Sequence, residues 1–119
     1  MTTVEGELVL PDTAPVVAGA HALLRVRDVT LADAPAPEPV SERDLVVDLT
    51  PAAHLGFAID VPDDALARVG QNKMALNLEV HIDLDGSGTF SRGDLVSLQA
   101  QPITPATPGT PLTVPLETV

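Results

Sequence analysis

The stretch that decides the fold is Met74-Ala75-Leu76-Asn77-Leu78-Glu79-Val80-His81-Ile82-Asp83-Leu84. Every second residue from its start to its end is apolar. The polar residues between them are Asn77, Glu79, His81 and Asp83. Because side chains alternate between the two faces of a strand, this spacing predicts a β-strand with one buried face. We expect the other face to be in contact with solvent, since strand positions outside a core are usually polar.

The same alternation recurs along the chain and predicts an all-β protein. The predicted strands cover residues 4–10, 21–31, 45–49, 55–61, 74–84, 95–103 and 112–116. Residues 11–20 and 104–111 are predicted to be connections. The proline-rich segment 34–39 is predicted to be an extended edge or linker, because proline lacks the amide donor that an interior strand needs. Residues 62–70 depart from the alternation and predict one short helical turn. About seven strands with one-sided patterning favour an antiparallel β-sandwich, formed by a single domain over residues 1–119.

The apolar side of the second predicted strand changes near its end. Leu24 and Val26 face one way, whereas Val29 and Leu31 face the other. An extra residue in one strand of a pair produces such a change. We therefore expect a β-bulge near Asp28.

The composition restricts the possible partners. Six basic and seventeen acidic residues give a net charge of −11, which repels the phosphates of nucleic acids and anionic membrane surfaces. Phe57 and Phe90 are the sole aromatic residues, so the core must consist of Val, Leu, Ile and Ala, and base stacking has little support. The absence of cysteine excludes disulfides and thiolate metal sites. We predict no nucleic-acid partner.

The chain carries no apolar run of membrane-spanning length, so no membrane insertion is expected. Residues 1–7 also lack the basic and apolar parts of a secretory signal. As written, the chain is expected in the cytoplasm, or in the envelope or outside the cell if a signal was removed.

Residues 83–94 place oxygen-bearing side chains at the intervals of a twelve-residue calcium loop, as in an EF-hand. Positions 1, 3, 5, 7, 9 and 12 of such a loop provide the ligands. In this chain those positions hold Asp83, Asp85, Ser87, Thr89, Ser91 and Asp94. Gly88 stands at position 6, where the loop turns sharply, and Phe90 at position 8 can anchor the loop to a core. We predict that these six residues bind Ca²⁺.

Two features separate this loop from a helix-loop-helix calcium site. Asp94 is one methylene shorter than the usual closing Glu, which favours a tighter loop and Mg²⁺ as the alternative ion. The loop also follows a predicted strand instead of a helix. The alternative interpretation is a solvated connection in which Gly, Asp and Ser are present because they favour turns.

The sequence gives little support for catalysis. His21, His54 and His81 fall on three separate predicted strands, so no convergent histidine site is expected. The polar face with Glu79, His81 and Asp83 could surround a transition metal, but solvated side chains are the favoured interpretation. Neither a Gly-x-Ser-x-Gly nucleophile motif nor a phosphate-binding Gly-x-x-x-x-Gly-Lys motif is present. We predict that the protein is not an enzyme.

Residues 4–11, Val-Glu-Gly-Glu-Leu-Val-Leu-Pro, together with residues 24–35, Leu-Arg-Val-Arg-Asp-Val-Thr-Leu-Ala-Asp-Ala-Pro, resemble the YbaY-like family of small bacterial β-sandwich lipoproteins. That family is grouped with the YscW-type pilot proteins of type III secretion. Residues 57–59 and 93–95 are similar to the family as well. The resemblance implies a β-sandwich and a role as an envelope chaperone or adaptor, and it brings no catalytic residues.

Three functions remain open. The first is a noncatalytic β-sandwich with a mainly structural calcium ion in the 83–94 loop. The second is an adaptor or chaperone-like module that binds an extended segment of a partner protein by adding it to an exposed edge strand. The third is a metal-dependent hydrolase, which would need an open coordination position beside a pocket.

Overall fold

Two β-sheets pack face to face in the computed structural model of this chain, which describes residues 1–30, 39–84, 93–99 and 101–118. Those ranges contain nine strands, one α-helix and one 3₁₀ turn. The strands are β1 Thr2–Val9, β2 Val17–Asp28, β3 Ser41–Leu49, β4 His54–Val61, β5 Leu76–Asp83, β6 Leu95–Val96, β7 Pro102–Ile103, β8 Leu112–Pro115 and β9 Glu117–Thr118. The helix, α1, spans Asp63–Gly70, and the 3₁₀ turn spans Thr107–Gly109.

The smaller sheet has the strand order β4-β1-β8, and the larger has the order β3-β2-β5-β6-β9, with β7 also paired to β5. The pairs are antiparallel except β1 with β8, which is parallel. A parallel neighbour requires a long crossover, and here most of the chain separates the two strands. The all-β sandwich is therefore confirmed, with one parallel pair that the alternation could not predict.

The core lies between the sheets and is built from the apolar side of each strand. Its largest fully buried side chains are Leu8, Leu10, Leu24, Leu49, Ile59, Leu78, Ile82, Leu95, Ile103, Val4, Val26 and Val61. All are Leu, Ile or Val, as the scarcity of aromatic residues predicts. Phe57 also lies in this cluster, whereas Phe90 lies outside the described residues.

The predicted helical turn is confirmed as α1. Pro62 precedes it, and Asp63 and Asp64 occupy its first turn, where carboxylates interact favourably with the helix dipole. Ala65 and Leu66 are its buried residues. The helix thus contributes to the core through these two residues.

Strand β2 begins at Val17, four residues before its predicted start, and its irregularity lies at that end. The pairing of β2 with β3 shifts between Val17 and Ala20, and Gly19 has the positive φ of 71° that such a bulge favours. The bulge predicted near Asp28 is wrong, because β2 pairs regularly with β5 up to Asp28. The side change has another cause: the strand ends there, and the Asp28 carboxylate accepts hydrogen bonds from the N–H and hydroxyl of Thr30.

The single strand predicted over residues 95–103 is also wrong. Leu95 and Val96 are both buried in β6, and Leu98 is 66% exposed. Ser97 still follows β5, since its N–H donates to the Val80 carbonyl at 3.0 Å and its hydroxyl accepts the Val80 N–H at 3.0 Å. The chain then leaves the sheet and returns at Gln101, whose carbonyl accepts the Leu78 N–H at 2.9 Å. Strands β6 and β7 are therefore separate, and their buried residues do not follow one continuous alternation.

The last predicted strand, residues 112–116, corresponds to β8 and Leu116. Strand β8 belongs to the smaller sheet and lies at its edge, as expected. Leu116 then crosses to the larger sheet, where β9 pairs with β6. The proline-rich segment predicted before β3 falls almost entirely outside the described residues.

Candidate functional site

The two ends of the predicted calcium loop lie side by side at the edge of the larger sheet. Strand β5 ends at Asp83, and β6 begins one residue after Asp94. Ile82 pairs with Leu95 in an antiparallel register, so the next position places Asp83 opposite Asp94. Asp83 is 8% exposed and Asp94 is 1% exposed. The loop therefore leaves from a strand, as the sequence predicts, and its first and twelfth positions meet at a buried base.

Asp94 contacts protein groups through both carboxylate oxygens. Its Oδ2 lies 2.8 Å from Nε2 of His81, and its Oδ1 accepts the Leu84 N–H at 3.0 Å. Asp94 thus joins the start of the loop to its end without requiring an ion.

His81 is the residue whose role the alternation did not reveal. It was predicted on a solvated strand face with Asp83, but His81 is only 4% exposed and Asp83 is buried as well. The prediction fails because β5 is an interior strand: His81 is flanked by Leu23 of β2 and Val96 of β6. The sequence does contain a possible partner for His81. It is Asp94, the closing residue of the loop motif, which lies thirteen residues after His81.

The other predicted ligands lie outside the described residues: Asp85, Ser87, Thr89 and Ser91. Within the described ranges, no group of three or more His, Asp or Glu side chains is arranged to hold a metal ion. In the same ranges every buried side-chain nitrogen or oxygen has a hydrogen-bond partner. The base of the loop is thus compatible with an ion above it and is satisfied by protein groups alone.

The three histidines lie on three different strands, as predicted, and each faces a different carboxylate. Nδ1 of His21 lies 3.0 Å from Asp44, and Nδ1 of His54 lies 3.0 Å from Glu7. Both of these pairs are exposed. His81 alone has a buried partner. Of the trio considered for a transition metal, Glu79 pairs with Arg27 of β2.

Hydrogen bonds lower the pKa of two carboxyl groups. The Thr30 hydroxyl, followed by the Thr30 N–H, holds the pKa of Asp28 below its ordinary value. The Thr2 hydroxyl does the same for the pKa of Asp63 at the start of α1, with the N-terminal ammonium as the second cause. The Asp28 contacts stabilise a local turn, whereas the Asp63 contacts join the start of α1 to the start of the chain.

One long side of the sandwich is crossed by side chains from one edge strand to the other. We call this gap between β3 of the larger sheet and β4 of the smaller sheet the β3–β4 seam. The Ser41 hydroxyl donates to the Asp60 carbonyl, and the Arg43 guanidinium donates to the Ala58 carbonyl. No backbone pairing between β3 and β4 occurs in the described residues. The seam therefore holds the two sheets together through exposed side-chain donors.

The opposite long side, which we call the crossover side, is closed by the chain itself. Leu116 connects β8 with β9, is 3% exposed, and donates its N–H to the Val9 carbonyl at 2.9 Å. The Gln101 side chain adds a 3.4 Å hydrogen bond to the Thr113 carbonyl of β8. The crossover side is thus covered, and the β3–β4 seam is the more accessible of the two.

No helix in the described ranges is long and apolar enough to cross a membrane. No protein-family model matches the chain, and no curated protein matches it. Among solved structures, the chain is similar to an alternative pilotin from the type II secretion system of Vibrio cholerae, with a TM-score of 0.71 and 17% sequence identity. The match covers 98% of this chain and 97% of the pilotin chain. The two proteins share one fold from end to end, which confirms the fold implied by the resemblance to pilot proteins, whereas membership of the YbaY-like family stays a prediction.

Proposed function

We propose that this protein is a noncatalytic adaptor of the pilot-protein kind, which binds an extended segment of a partner protein at a sheet edge. The observation that carries the proposal is the end-to-end structural match to a pilotin of a type II secretion system. The match spans 98% of this chain and 97% of the pilotin chain, so it includes both sheets of the sandwich.

The surface charge supports a protein partner with basic character. A net charge of −11 attracts cationic segments and accelerates their association at low salt. The same charge disfavours nucleic acids and anionic lipids. Binding is therefore expected to weaken as the salt concentration rises, because screening acts within about 8–10 Å at physiological ionic strength.

The open edges of the sandwich support the mode of binding. Among the described residues, each sheet ends in strands that have a neighbour on one side only, and such strands can accept an extended segment through backbone hydrogen bonds. The histidines support the absence of catalysis, since His21 and His54 face separate exposed carboxylates and His81 faces a buried one.

Direct titration tests this proposal. The purified chain is titrated by calorimetry with individual purified components of the type II secretion machinery of its source cell. We expect one component to bind with a dissociation constant of about 1 μM or tighter. Raising the salt concentration should weaken that complex. A non-cognate acidic protein, titrated with the same components, is the control. If no component binds this chain more tightly than it binds the control, the adaptor function is wrong.

A calcium ion in the 83–94 loop is the second candidate function, and it is compatible with the first. The observation that favours it is the register of Ile82 with Leu95, which places buried Asp83 opposite buried Asp94, since a closed loop must bring its first and last ligands together. The ion would be held by Asp83, Asp85, Ser87, Thr89, Ser91 and Asp94, with Mg²⁺ as the alternative to Ca²⁺. Its role would be structural, because it would join β5 to β6.

Thermal unfolding with and without calcium tests this second function. At free calcium a hundredfold above the dissociation constant, binding to the folded state adds about 2.7 kcal/mol to the free energy of unfolding. Asp83→Asn should abolish the shift in melting temperature, whereas Asp64→Asn on α1 should preserve it. Equal melting temperatures in calcium, magnesium and chelator would exclude the site.

A further inference from the structure

The β3–β4 seam has the geometry of a hairpin whose backbone pairing has been replaced by side chains. Strands β3 and β4 follow one another and are joined by residues 50–53. Ser41 faces Asp60 and Arg43 faces Ala58, so both contacts lie at equal distances from the turn on the two arms. The arms nevertheless belong to different sheets, because β3 pairs with β2 and β4 pairs with β1.

The acceptors at the seam are spaced as an added strand requires. The carbonyls of Ala58 and Asp60 receive side chains of β3, so they point away from β1. In an antiparallel strand the N–H and C=O of one residue point to the same side. Residues 58 and 60 therefore present both backbone groups to the seam, two residues apart, which is the repeat with which a neighbouring strand forms hydrogen bonds.

The side chains that now fill these acceptors can be displaced. Ser41 is half-buried and Arg43 is exposed, and both of their hydrogen bonds are exposed. An exchange of one exposed hydrogen bond for another has a small net free energy. An incoming strand would replace the Ser41 hydroxyl and the Arg43 guanidinium with its own backbone N–H groups.

The charges beside the seam indicate which occupant fits. Four exposed carboxylates lie on its two strands: Glu42, Asp44, Asp48 and Asp60. Apart from His54, the basic residue of β3 and β4 is Arg43. A second copy would bring the same acidic strands together, and like charges on neighbouring strands are destabilising. An extended segment with Lys or Arg at alternate positions has the complementary charge.

We infer that the β3–β4 seam is the strand-acceptor site, and that it takes an extended basic segment of a partner protein, which pairs with β4 at Ala58 and Asp60 after displacing Ser41 and Arg43. This inference rests on the proposed function and specifies the surface and the chemistry of the partner. The pairing would require the edges of β3 and β4 to move apart, because the Ser41 and Arg43 side chains now reach directly across the seam and an added strand needs about 4.7–4.9 Å to each neighbour.

A random dodecapeptide display library, selected on the full chain, provides the probe. We expect the selected peptides to carry Lys or Arg at every second position. Each selected peptide is then synthesised with N-methyl groups at either its odd or its even residues. One of these two sets should abolish binding and the other should preserve it, since alternate N–H groups face the acceptor strand.

Two proline variants locate the site on the chain. Ala58→Pro removes an N–H that faces the seam and no bond between β1 and β4, so it should weaken peptide binding at least about tenfold. Thr113→Pro places the same block on β8 at the crossover side and should leave the affinity unchanged. Thermal unfolding of both variants verifies that they are folded, and the methylated peptides test the wild-type chain independently of any mutation.

Two arginine variants test the displacement step. Arg43→Ala frees the Ala58 carbonyl and should strengthen binding by more than Arg25→Ala, which removes the same charge from an ion pair with Glu42 on the outer face. Equal effects of the two variants would show that charge alone matters and would overturn the displacement of Arg43.

The remaining outcomes separate the seam from the proposed function. If peptides or a secretion component bind and Ala58→Pro has no effect, the seam assignment is wrong and the adaptor function stands. Selected peptides with helical spacing of apolar residues would overturn strand addition. A dimer in sedimentation that Ala58→Pro dissociates would identify a second copy as the occupant. If no peptide is enriched over a chain-free control and no component binds, both proposals fail.

Discussion

The two long sides of the sandwich are closed in different ways. On the crossover side, the chain itself passes between the sheets, and the N–H of buried Leu116 bonds to Val9. At the β3–β4 seam, the side chains of Ser41 and Arg43 donate exposed hydrogen bonds to the backbone carbonyls of β4. A buried backbone hydrogen bond is costly to break because the freed N–H and C=O groups have no water to bond to, whereas the groups of an exposed bond can bond to water instead. The comparison teaches that the two sides of one sandwich can be closed by bonds of different strength, with the weaker ones at the β3–β4 seam.

The largest expected effect concerns the crossover side. Leu116→Ala should lower the free energy of unfolding by about 2–5 kcal/mol, because it removes a buried side chain and leaves a cavity where the sheets meet. Urea unfolding measures the change. The control is Leu98→Ala, since Leu98 is largely exposed and its loss should cost within about 0.5 kcal/mol. Similar losses in both variants would show that the crossover side is not the tightly packed one.

A smaller loss is expected from Gly6→Ala, which tests how closely the three strands of the smaller sheet approach. A Cβ at Gly6 would lie 2.4 Å from the Leu112 carbonyl oxygen of β8 and 2.9 Å from the Phe57 ring of β4. Overpacking of this kind costs about 1–3 kcal/mol. Gly56→Ala is the matched control, because a Cβ there would meet no atom within 4 Å. If the two alanine variants unfold at the same urea concentration, β1 is less crowded than the structure indicates.

Much of the fold could be predicted because short-range alternation reports which face of a strand is buried. Strands β1 and β4 bury the residues that alternation selects, such as Val4, Leu8 and Ile59. Helix α1 was predictable from a proline and two aspartates before an apolar pair. These features depend on residues close in sequence, so a single chain is sufficient to identify them.

The features that escaped prediction depend on distant partners. The burial of His81 requires β2 and β6 on either side of it, and alternation alone cannot tell an interior strand from an edge. The parallel position of β8 beside β1 and the seam between β3 and β4 are likewise set by tertiary packing. For the candidate site, the loop motif assigns Asp83 and Asp94 to its first and last positions, but it could not show that His81 and the Leu84 N–H contact Asp94.

Arg43→Ala measures how much one hydrogen bond of the β3–β4 seam contributes to the free energy of unfolding. Loss of one exposed hydrogen bond should lower the free energy of unfolding by about 1 kcal/mol or less. Arg25→Ala, which removes an exposed ion pair with Glu42 at 3.6 Å, should cost a similar small amount. Urea unfolding again provides the measurement. A loss from Arg43→Ala as large as that from Leu116→Ala would mean that the seam is a permanent closure like the crossover side.

The smallest change in the free energy of unfolding is expected at the end of β2, which lies in the larger sheet and belongs neither to the crossover side nor to the β3–β4 seam. The Thr30 hydroxyl is the main cause that lowers the pKa of Asp28, and the Thr30 N–H is the second. A carboxyl whose pKa is lower in the folded state stabilises the fold above its unfolded pKa, near the ordinary value of 3.8, and loses that contribution as the pH falls through the folded pKa. Acid should therefore remove this part of the stability.

Thr30→Ala should raise the pKa of Asp28 toward its ordinary value, which NMR titration of the carboxyl carbon measures. The difference in the free energy of unfolding between wild type and Thr30→Ala should be larger at pH 7 than at pH 3. A part of it should persist in acid, because the Thr30 hydroxyl also accepts the Ala75 N–H at 3.0 Å. Thr30→Ser keeps the hydroxyl and should behave as wild type. A pH-independent difference would assign the whole effect to Ala75, and a change in peptide binding would show that this turn is coupled to the β3–β4 seam.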